Sequence, residues 1–443
     1  MKYIKALYFN NRLFQIIGGL VVLFILSYFF PSVMVIPKVA FFLLLAAVCT
    51  DIVLLYSKQK GIKGRRFTPE KLSNGDENEI KLFLENFYPF DVSIKVIDEL
   101  PHQFQKRDSL FFIDLTPREK RSISYLLRPV KRGEYKFGAV NIFASTQIGL
   151  VSRRYRFSQN KMTPVYPSFI QMRKYELVAI SNNLTEAGIK KIRRLGHNME
   201  FEQIKDYVQG DDYRTINWKA TARRGSLMVN NYQDEKSQQV YAIIDKSRAM
   251  QMPFNGLSLL DYSINASLVI SNIAMKKDDK AGLITFQHKI GAMLPASKRA
   301  KQMHMILETL YNQKTAYKEV DYSKLYSLVR QKITQRSLLL LFTNFESLSS
   351  MHRQLPYLKK LAKSHLLVVI FFDNTEIKKL LDEPAEKIQE VYKKAVAEKL
   401  AYEKSLIAKE LQNHGIHSVL TAPEHLNINT INKYLELKAR GLI

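Results

Sequence analysis

The sequence predicts three regions in chain order: a two-helix membrane hairpin, an antiparallel β-sandwich and a doubly wound α/β domain. Two apolar runs open the chain, short alternating segments follow, and continuous apolar strands then alternate with amphipathic helices. The length of 443 residues allows about three domains. We place the hairpin at 1–66, the sandwich at 67–170 and the α/β domain at 238–443, with 171–237 as a helical linker.

Composition restricts the classes of protein that need to be considered. With 46% apolar residues, the chain is an ordinary globular protein rather than a disordered one. The single cysteine, Cys49, excludes an intramolecular disulfide and a cysteine-based metal cluster. The formal net charge of +26 predicts an anionic neighbour, either a phospholipid surface or nucleic acid.

The two apolar runs, 13–30 and 39–56, are each long enough to cross a bilayer. An 18-residue helix is roughly 27 Å long, close to the thickness of the hydrocarbon core. Lysine and arginine flank both outer ends, whereas the connection at 31–38 contains only Lys38. Positive residues stay in the cytoplasm, so we expect both termini and the soluble domains on that side. A cleaved signal peptide followed by a core helix is the alternative, and the missing cleavage site disfavours it.

One acidic residue, Asp51, lies about two-thirds of the way along the second run. Charged residues in membrane segments either snorkel to the interface or make a buried polar contact. We favour snorkelling to the cytoplasmic face.

The region from 67 to 167 alternates apolar and polar residues between turn signals. The segments 92–96 and 121–126 alternate cleanly, and a turn is expected at 86–89. Short strands at this spacing are typical of an antiparallel sandwich. The region has no catalytic constellation, so we interpret it as a spacer or a binding surface.

The second half contains continuous apolar segments at 240–244, 338–342 and 366–372, separated by helical patterns. Such strands are buried on both faces, as in a parallel sheet covered by helices. One long helix is predicted from 375 to 411. Ligands of such sheets bind at the carboxyl ends of the strands.

Polar residues follow two of these strands directly. Asp245 and Ser247 come after the first, and Thr343, Asn344 and Glu346 come after the strand at 338–342. These oxygens are possible ligands for Mg²⁺. The alternative, that Asp245 and Ser247 cap the next turn, is favoured because the set has only one strong carboxylate and two basic residues flank it.

The densest polar stretch lies between 196 and 225. Its notable residues are Glu200, Phe201, Asp206, Tyr207, Gly210, Asp211, Asp212, Arg214, Asn217, Trp218 and Arg223. One interpretation makes Glu200, Asp206, Asp211 and Asp212, with His197, an acid–base or metal cluster. The other, which we favour because no nucleophile accompanies them, makes them caps and ion pairs. Helical spacing is expected over 201–208 and again after 211, ending at Gly225.

Basic runs at 153–156 and 190–194 are possible phosphate contacts. Aromatic residues are sparse among them, and the predicted membrane lies nearby in the chain. We therefore favour anionic lipid headgroups over nucleic acid.

The segment from 194 to 223 resembles the signature of the bacterial "domain of unknown function 58" family. Members of that family carry a von Willebrand factor A-like domain and are typically encoded beside MoxR-type AAA+ ATPases. The resemblance implies an adaptor or scaffold rather than an enzyme, set in the bacterial inner membrane. It also implies two kinds of partner, a MoxR-type ATPase and other von Willebrand-type membrane proteins.

The same resemblance bears on the metal. The family's pattern D-x-S-x-S matches Asp245 and Ser247, but Ala249 replaces the second serine and Asn344 stands where a later aspartate is expected. These changes remove a hydroxyl and a negative charge, which puts Mg²⁺ binding in doubt.

Our leading hypothesis is a membrane-anchored protein-interaction module that presents the strand ends around Asp245, Ser247 and Asn344. The segment 200–223 either braces the α/β domain, in which case replacing Trp218 destabilises it, or forms a docking surface. The rivals are a membrane-bound enzyme that uses the carboxylates of that segment and a membrane-tethered nucleic-acid binder.

Overall fold

The computed structural model describes residues 6–30, 33–106, 109–158, 160–180, 199–234, 237–315, 317–382, 384 and 387–442. The chain divides into two compact units, Met1–Tyr166 and Pro167–Ile443. The first is β-rich and carries two apolar helices, and the second is of mixed α/β type.

The first unit begins with strand β1 (Leu7–Phe9) and two helices, α1 (Asn11–Tyr28) and α2 (Val35–Tyr56). Both helices are long and apolar enough to cross a membrane. Large apolar side chains along them are exposed, including Phe42 and Val53. The predicted pair of apolar helices is confirmed, although α2 begins at Val35 rather than at residue 39.

Ten further strands are present among the described residues of the β-rich unit. They are β2 (Ile62–Phe67), β3 (Leu72–Ser73), β4 (Asn78–Asn86), β5 (Val92–Asp98), β6 (Leu110–Leu115), β7 (Lys120–Leu127), β8 (Gly133–Phe137), β9 (Val140–Ser145), β10 (Val151–Phe157) and β11 (Lys161–Tyr166). One sheet has the order β1-β10-β9-β5-β6, a second β2-β4-β7 and a third β3-β11-β8. All pairs are antiparallel except β3–β11.

The first two sheets share one apolar core. Strand β4 buries alternate residues, and its Leu82 and Leu84 pack with Ile94 of β5 and Ile142 of β9. Strand β1 pairs with β10 in the register Leu7↔Arg153. Because β1 precedes α1 and β2 follows α2, both ends of the helical hairpin join the same β-rich unit.

Asp51 does not snorkel to the surface, contrary to our expectation. It is completely buried in α2. Its carboxylate accepts hydrogen bonds from the Thr146 hydroxyl, from Leu150 N at 3.0 Å and from Val151 N at 2.9 Å. The residue is therefore the buried polar contact that joins α2 to the β9–β10 connection.

Arg153 binds the carboxyl end of α2. Its guanidinium donates to the carbonyls of Leu55, Lys58 and Gln59 at 2.7 to 3.0 Å. A cation that binds the last carbonyls of a helix stabilises its carboxyl end. Arg153 is buried and therefore unavailable to the lipid headgroups that we expected the 153–156 run to contact.

The second unit contains the remaining helices and strands of the described part of the chain. They are α3 (Phe169–Ile180), β12 (Met199–Asp206), α4 (Trp218–Arg224), β13 (Met228–Asp234), β14 (Gln239–Asp245), β15 (Pro253–Phe254), β16 (Leu257–Ser258), α5 (Leu259–Lys276), β17 (Lys280–Phe286), β18 (Ile290–Ser297), α6 (Gln302–Tyr311), α7 (Tyr322–Lys332), β19 (Leu338–Phe342), α8 (Leu348–Ser364), β20 (Leu366–Phe372), α9 (Thr375–Asp382), α10 (Ile388–Asn413), β21 (His417–Thr421) and α11 (Leu426–Ala439).

The main sheet of this unit has the order β18-β17-β14-β19-β20-β21, and only the edge strand β18 runs antiparallel. Alternate residues of β14 face opposite cores. Ala242 packs on the side of α5, α6 and α11, and Ile243 on the side of α7, α8 and α10. The predicted parallel sheet, with helices packed on both faces, is confirmed.

Two expectations for this unit are wrong. Residues 199–206 form a strand paired with β13 rather than a helix. A few apolar residues at helical spacing do not distinguish a helix from a strand, and here pairing with β13 decides. The predicted long helix at 375–411 is two helices, α9 and α10.

Candidate functional site

The carboxyl ends of β14 and β19 lie side by side, because Ile244 pairs with Phe342 in the parallel register. The next residues meet as predicted for neighbouring strand ends. The Thr343 hydroxyl donates to Asp245 Oδ2 at 2.7 Å, and Ser247 N donates to Oδ1 at 2.8 Å. Both carboxylate oxygens of Asp245 are thus engaged within the unit.

Burial determines the acidity of Asp245. The side chain is almost completely inaccessible to water, which raises its pKa from 3.8 to about 6. Hydrogen bonds from Thr343 and Ser247 favour the ionised form and oppose this rise. The carboxyl is therefore a buried group that titrates just below neutral pH.

Asn344 has a different environment from the one we expected. Its amide donates to the Ala249 carbonyl at 3.3 Å, and its Oδ1 accepts from Lys404 Nζ at 2.6 Å. Lys404 comes from α10 and also donates to the Phe345 carbonyl. Burial lowers its pKa from 10.5 to about 8, against the opposing charges of Asp373 and Glu346. The sequence analysis did not single out Lys404, because α10 is rich in lysine and no local pattern distinguishes this lysine from the others.

The donor set at these strand ends does not fit the Mg²⁺ that the family resemblance implies. Asp245 is the one carboxylate of the predicted set with a strong claim to a metal, and both its oxygens already accept hydrogen bonds. The amide oxygen of Asn344 holds an ammonium group instead of a metal. Among the described residues, no three His, Cys, Asp or Glu side chains are grouped as metal ligands. A lysine therefore supplies the positive charge at this edge.

Asparagine at position 245 is expected to flatten the pH dependence of stability. Between pH 3.8 and about 6 the folded carboxyl keeps a proton that the unfolded chain has lost, so wild-type stability falls as pH rises through this window. The full shift corresponds to about 3 kcal/mol, of which about 2 kcal/mol falls between pH 4.5 and 7. Urea unfolding of the full chain in neutral detergent at pH 4.5 and 7 measures it. The exposed Asp382→Asn serves as the control, and identical pH profiles for Asp245→Asn and wild type would contradict the prediction.

The carboxylates of the segment 200–223 do not converge on one point. Asp211 accepts from Val208 N and from Lys205 Nζ, both at 3.0 Å, and these contacts lower its pKa. Asp212 accepts from Arg214 N in a short 3₁₀ turn. Asp206 accepts from the Ser226 hydroxyl at 3.2 Å. The favoured interpretation, caps and ion pairs, agrees with these contacts.

The polar residues around α4 also have local roles. Asn217 caps α4 by accepting from Ala220 N, and Gly225 ends the helix with a φ of +73°. Gly210 adopts a φ of +116°, which favours glycine. The backbone N–H of Tyr207 donates a hydrogen bond to a backbone carbonyl. Arg223 lies in the last turn of α4. The side chains of Glu200 and Phe201, together with His197 and the run 190–194, lie outside the described part of the chain.

Two aromatic side chains of this segment face solvent. Trp218 is 70% exposed and Tyr213 is 69% exposed. Large exposed aromatic residues contribute little to folding, whereas at interfaces they are the usual energetic centres. Of our two interpretations, exposure therefore favours a docking surface over a brace. Exposure is not readable from local spacing, which is why the sequence left both open.

The fold and these contacts define a protein with an apolar helical hairpin in its β-rich unit and a polar strand edge in its α/β unit. Residues 203–389 match the family described as "Protein of unknown function DUF58", which confirms the predicted family resemblance. The chain is also 26% identical over 249 residues to "Uncharacterized protein YeaD" of Bacillus subtilis (strain 168). That alignment covers 55% of this chain and 58% of the relative.

Solved structures resemble parts of the chain only distantly. A PapD-like domain of human CEP192 covers 24% of this chain and 84% of its own, with 16% identity and a TM-score of 0.18. The match to proximal thread matrix protein 1 from the mussel byssus covers 46% of this chain and 46% of that protein, with 10% identity and a TM-score of 0.27. TM-scores this low do not assign a fold.

Proposed function

We propose that this chain is a membrane-anchored adaptor that works with a MoxR-type AAA+ ATPase and with other von Willebrand-type membrane proteins. The observation that carries the proposal is the exposure of Trp218 and Tyr213 inside the matched family region. Tryptophan, tyrosine and arginine dominate the energetic centres of protein interfaces. In this segment the guanidinium carbon of Arg214 lies over the ring of Tyr213, 5.7 Å from the ring centroid. The segment thus has the composition of a docking surface.

The membrane geometry supports an anchor whose soluble parts face the bacterial cytoplasm. Both ends of the hairpin join one β-rich unit, so a spanning hairpin returns to the side where it began. Positive residues flank those ends, and such residues remain cytoplasmic. Anionic lipid headgroups on the same side suit the basic chain better than nucleic acid does.

The α/β unit is proposed to be a von Willebrand factor A-like domain without a working metal site. A central parallel sheet with helices on both faces and Asp245 at a strand end supports this assignment. The ammonium group of Lys404 donates a hydrogen bond to the amide oxygen of Asn344, which a metal at this site would need as a ligand. The separate contacts of Asp206, Asp211 and Asp212 weigh against the rival enzyme.

The adaptor proposal is tested by recovery of the full chain from its native host in mild detergent, with and without ATP and Mg²⁺. We expect an AAA+ ATPase to be retained by the wild-type chain. Recovery of lipid alone would overturn the proposed partnership. Turnover that is abolished by Asp211→Asn in a folded chain would favour the enzyme instead.

Alanine at Trp218 or Tyr213 is expected to reduce ATPase capture at least about 30-fold, which corresponds to a loss of about 2 kcal/mol of binding energy. The melting temperature should hardly change, because both side chains are exposed. Tyr392→Ala is the matched control, since Tyr392 is 71% exposed and lies on α10, outside the segment. Equal capture by all three variants, or a large drop in melting temperature for Trp218→Ala, would contradict the prediction.

A further inference from the structure

A groove lies at the base of the first apolar helix, within the β-rich unit. It runs from the start of α1 across one face of the sheet β1-β10-β9-β5-β6, and its volume is about 640 Å³. Lys95 of β5 lines the groove and alternates with the core residues Ile94 and Val96, so this face points away from the core. Pockets of roughly 300–1,000 Å³ receive whole small ligands. The groove is therefore large enough for a polar headgroup rather than a single ion.

The groove opens where the chain enters the first apolar helix. Tyr8 of β1 lines it, and so does Arg12 in the first turn of α1. The β9–β10 connection supplies Gln147, and Asp51 of α2 holds the same connection against the second apolar helix. Tyrosine is enriched at membrane–water interfaces, and Tyr8 is partly exposed. When the hairpin spans a bilayer, the groove is thus at the level of the lipid headgroups.

The charges that line the groove favour an anion. Arg12 and Lys95 line it, and no aspartate or glutamate does so among the described residues. Two carboxylates, Asp91 and Asp114, lie nearby but outside the lining, and each accepts a hydrogen bond from a lining side chain. An excess of two positive charges beside a bilayer attracts anionic lipids.

Both cations are available to a ligand. Arg12 and Lys95 are exposed, and neither makes an ion pair or a hydrogen bond within the described part of the chain. Gly149, with a φ of +69°, leaves room for the guanidinium, because a β-carbon there would lie 3.0 Å from an Arg12 nitrogen. The Lys95 ammonium lies 5.9 Å from the centroid of the Phe112 ring, a contact that leaves its N–H donors free.

The remaining lining suits the boundary between a headgroup and its acyl chains. Phe112 is 72% exposed, and the rings of Tyr8 and Phe143 meet edge to face with 5.1 Å between their centroids. The Ser145 hydroxyl accepts from the Asn10 amide at 3.1 Å, so its own proton remains available to a ligand oxygen. Cations, a hydroxyl and exposed rings in one groove match an amphipathic anion.

We propose that this groove binds the headgroup of an anionic phospholipid, with Arg12 and Lys95 as the cations that receive its phosphate. The inference rests on the membrane anchor of the proposed function, because a spanning hairpin places the groove beside the lipid. A phosphodiester carries one negative charge and accepts charge-assisted hydrogen bonds from such cations. The aromatic rings contact the adjoining glycerol and first acyl carbons, which a soluble phosphate lacks.

Native mass spectrometry of the full chain in neutral detergent tests the site with phosphatidylglycerol, and zwitterionic phosphatidylcholine is the comparison. We expect phosphatidylglycerol to bind saturably and at least about tenfold more tightly than phosphatidylcholine. Arg12→Gln should weaken this binding about tenfold and Lys95→Gln about threefold. Melting temperatures should hardly change, because both side chains are exposed. Lys60→Gln is the matched control, because Lys60 is an exposed cation just after α2 that does not line the groove.

Three results would overturn the inference. These are equal binding of the two lipids, a loss in Lys60→Gln as large as that in Arg12→Gln, and displacement of the lipid by an equal concentration of glycerol 3-phosphate. The second result would reduce the effect to the overall positive charge of the chain. The third would assign the groove to a soluble phosphate.

Carbonate extraction of host membranes tests the anchor separately. A chain that stays in the membrane without preferring phosphatidylglycerol keeps the anchor and loses this site. Release of the chain by carbonate removes the anchor and, with it, this inference. Preferential binding of phosphatidylglycerol without any ATPase capture removes the proposed partner and retains the lipid site.

Discussion

Replacing Asp51 by alanine is expected to destabilise the β-rich unit by about 3–5 kcal/mol. The change leaves Leu150 N, Val151 N and the Thr146 hydroxyl without their acceptor in a buried position. Each buried donor that loses its partner costs about 1–3 kcal/mol. Water has no access to a residue with zero exposure and so does not replace the carboxylate. The loss therefore separates the base of the helical hairpin from the strands that it packs against.

Amide hydrogen exchange gives the most specific measurement of this effect. In the full chain in neutral detergent, the amides of Leu150 and Val151 should exchange much faster in Asp51→Ala than in wild type. Thr50→Ala is the matched control, because Thr50 is exposed one residue earlier and bonds only the Ala47 carbonyl of its own helix. Unchanged exchange at these two amides would show that the Asp51 carboxylate does not hold the connection.

Arg66→Met is expected to destabilise the same unit by about 3–5 kcal/mol, because it leaves the buried Asp98 carboxylate unpaired. Both side chains of this ion pair are inaccessible, and Tyr125 also donates to Asp98. Burial already raises the pKa of Asp98, and Arg66 opposes that rise. Without Arg66 the pKa rises further, so the folded state takes up a proton more readily. The destabilisation should therefore be smaller at pH 5 than at pH 7.

Chemical unfolding of the full chain at both pH values measures this prediction. The double variant Arg66→Met/Asp98→Asn should recover much of the lost stability, since it removes the unpaired charge. Arg65→Met is the matched control, because Arg65 is the exposed neighbour on the opposite face of β2. An equal loss in Arg65→Met, or no recovery in the double variant, would contradict the buried-pair explanation.

Local residue patterns were sufficient to predict the two apolar helices and the parallel sheet. Apolar runs and continuous apolar strands such as Leu338–Phe342 depend on the residues within one element, so their periodicity is legible in the chain. The meeting of Asp245 with Thr343 was also accessible, since the carboxyl ends of adjacent parallel strands share one edge. The segment 199–206 was misjudged because its partner strand β13 lies outside the local window.

The sequence alone could not predict which residues that are far apart in the chain come into contact. Asp51 meets Thr146, Leu150 and Val151 across 95 to 100 positions, and Lys404 meets Asn344 across 60. The exposure of Trp218 likewise depends on what packs around it. Hydrophobic periodicity specifies which face of an element is buried, whereas the partner of a polar group is specified by tertiary packing. The polar groups on which the proposed functions depend therefore emerged only with the folded arrangement.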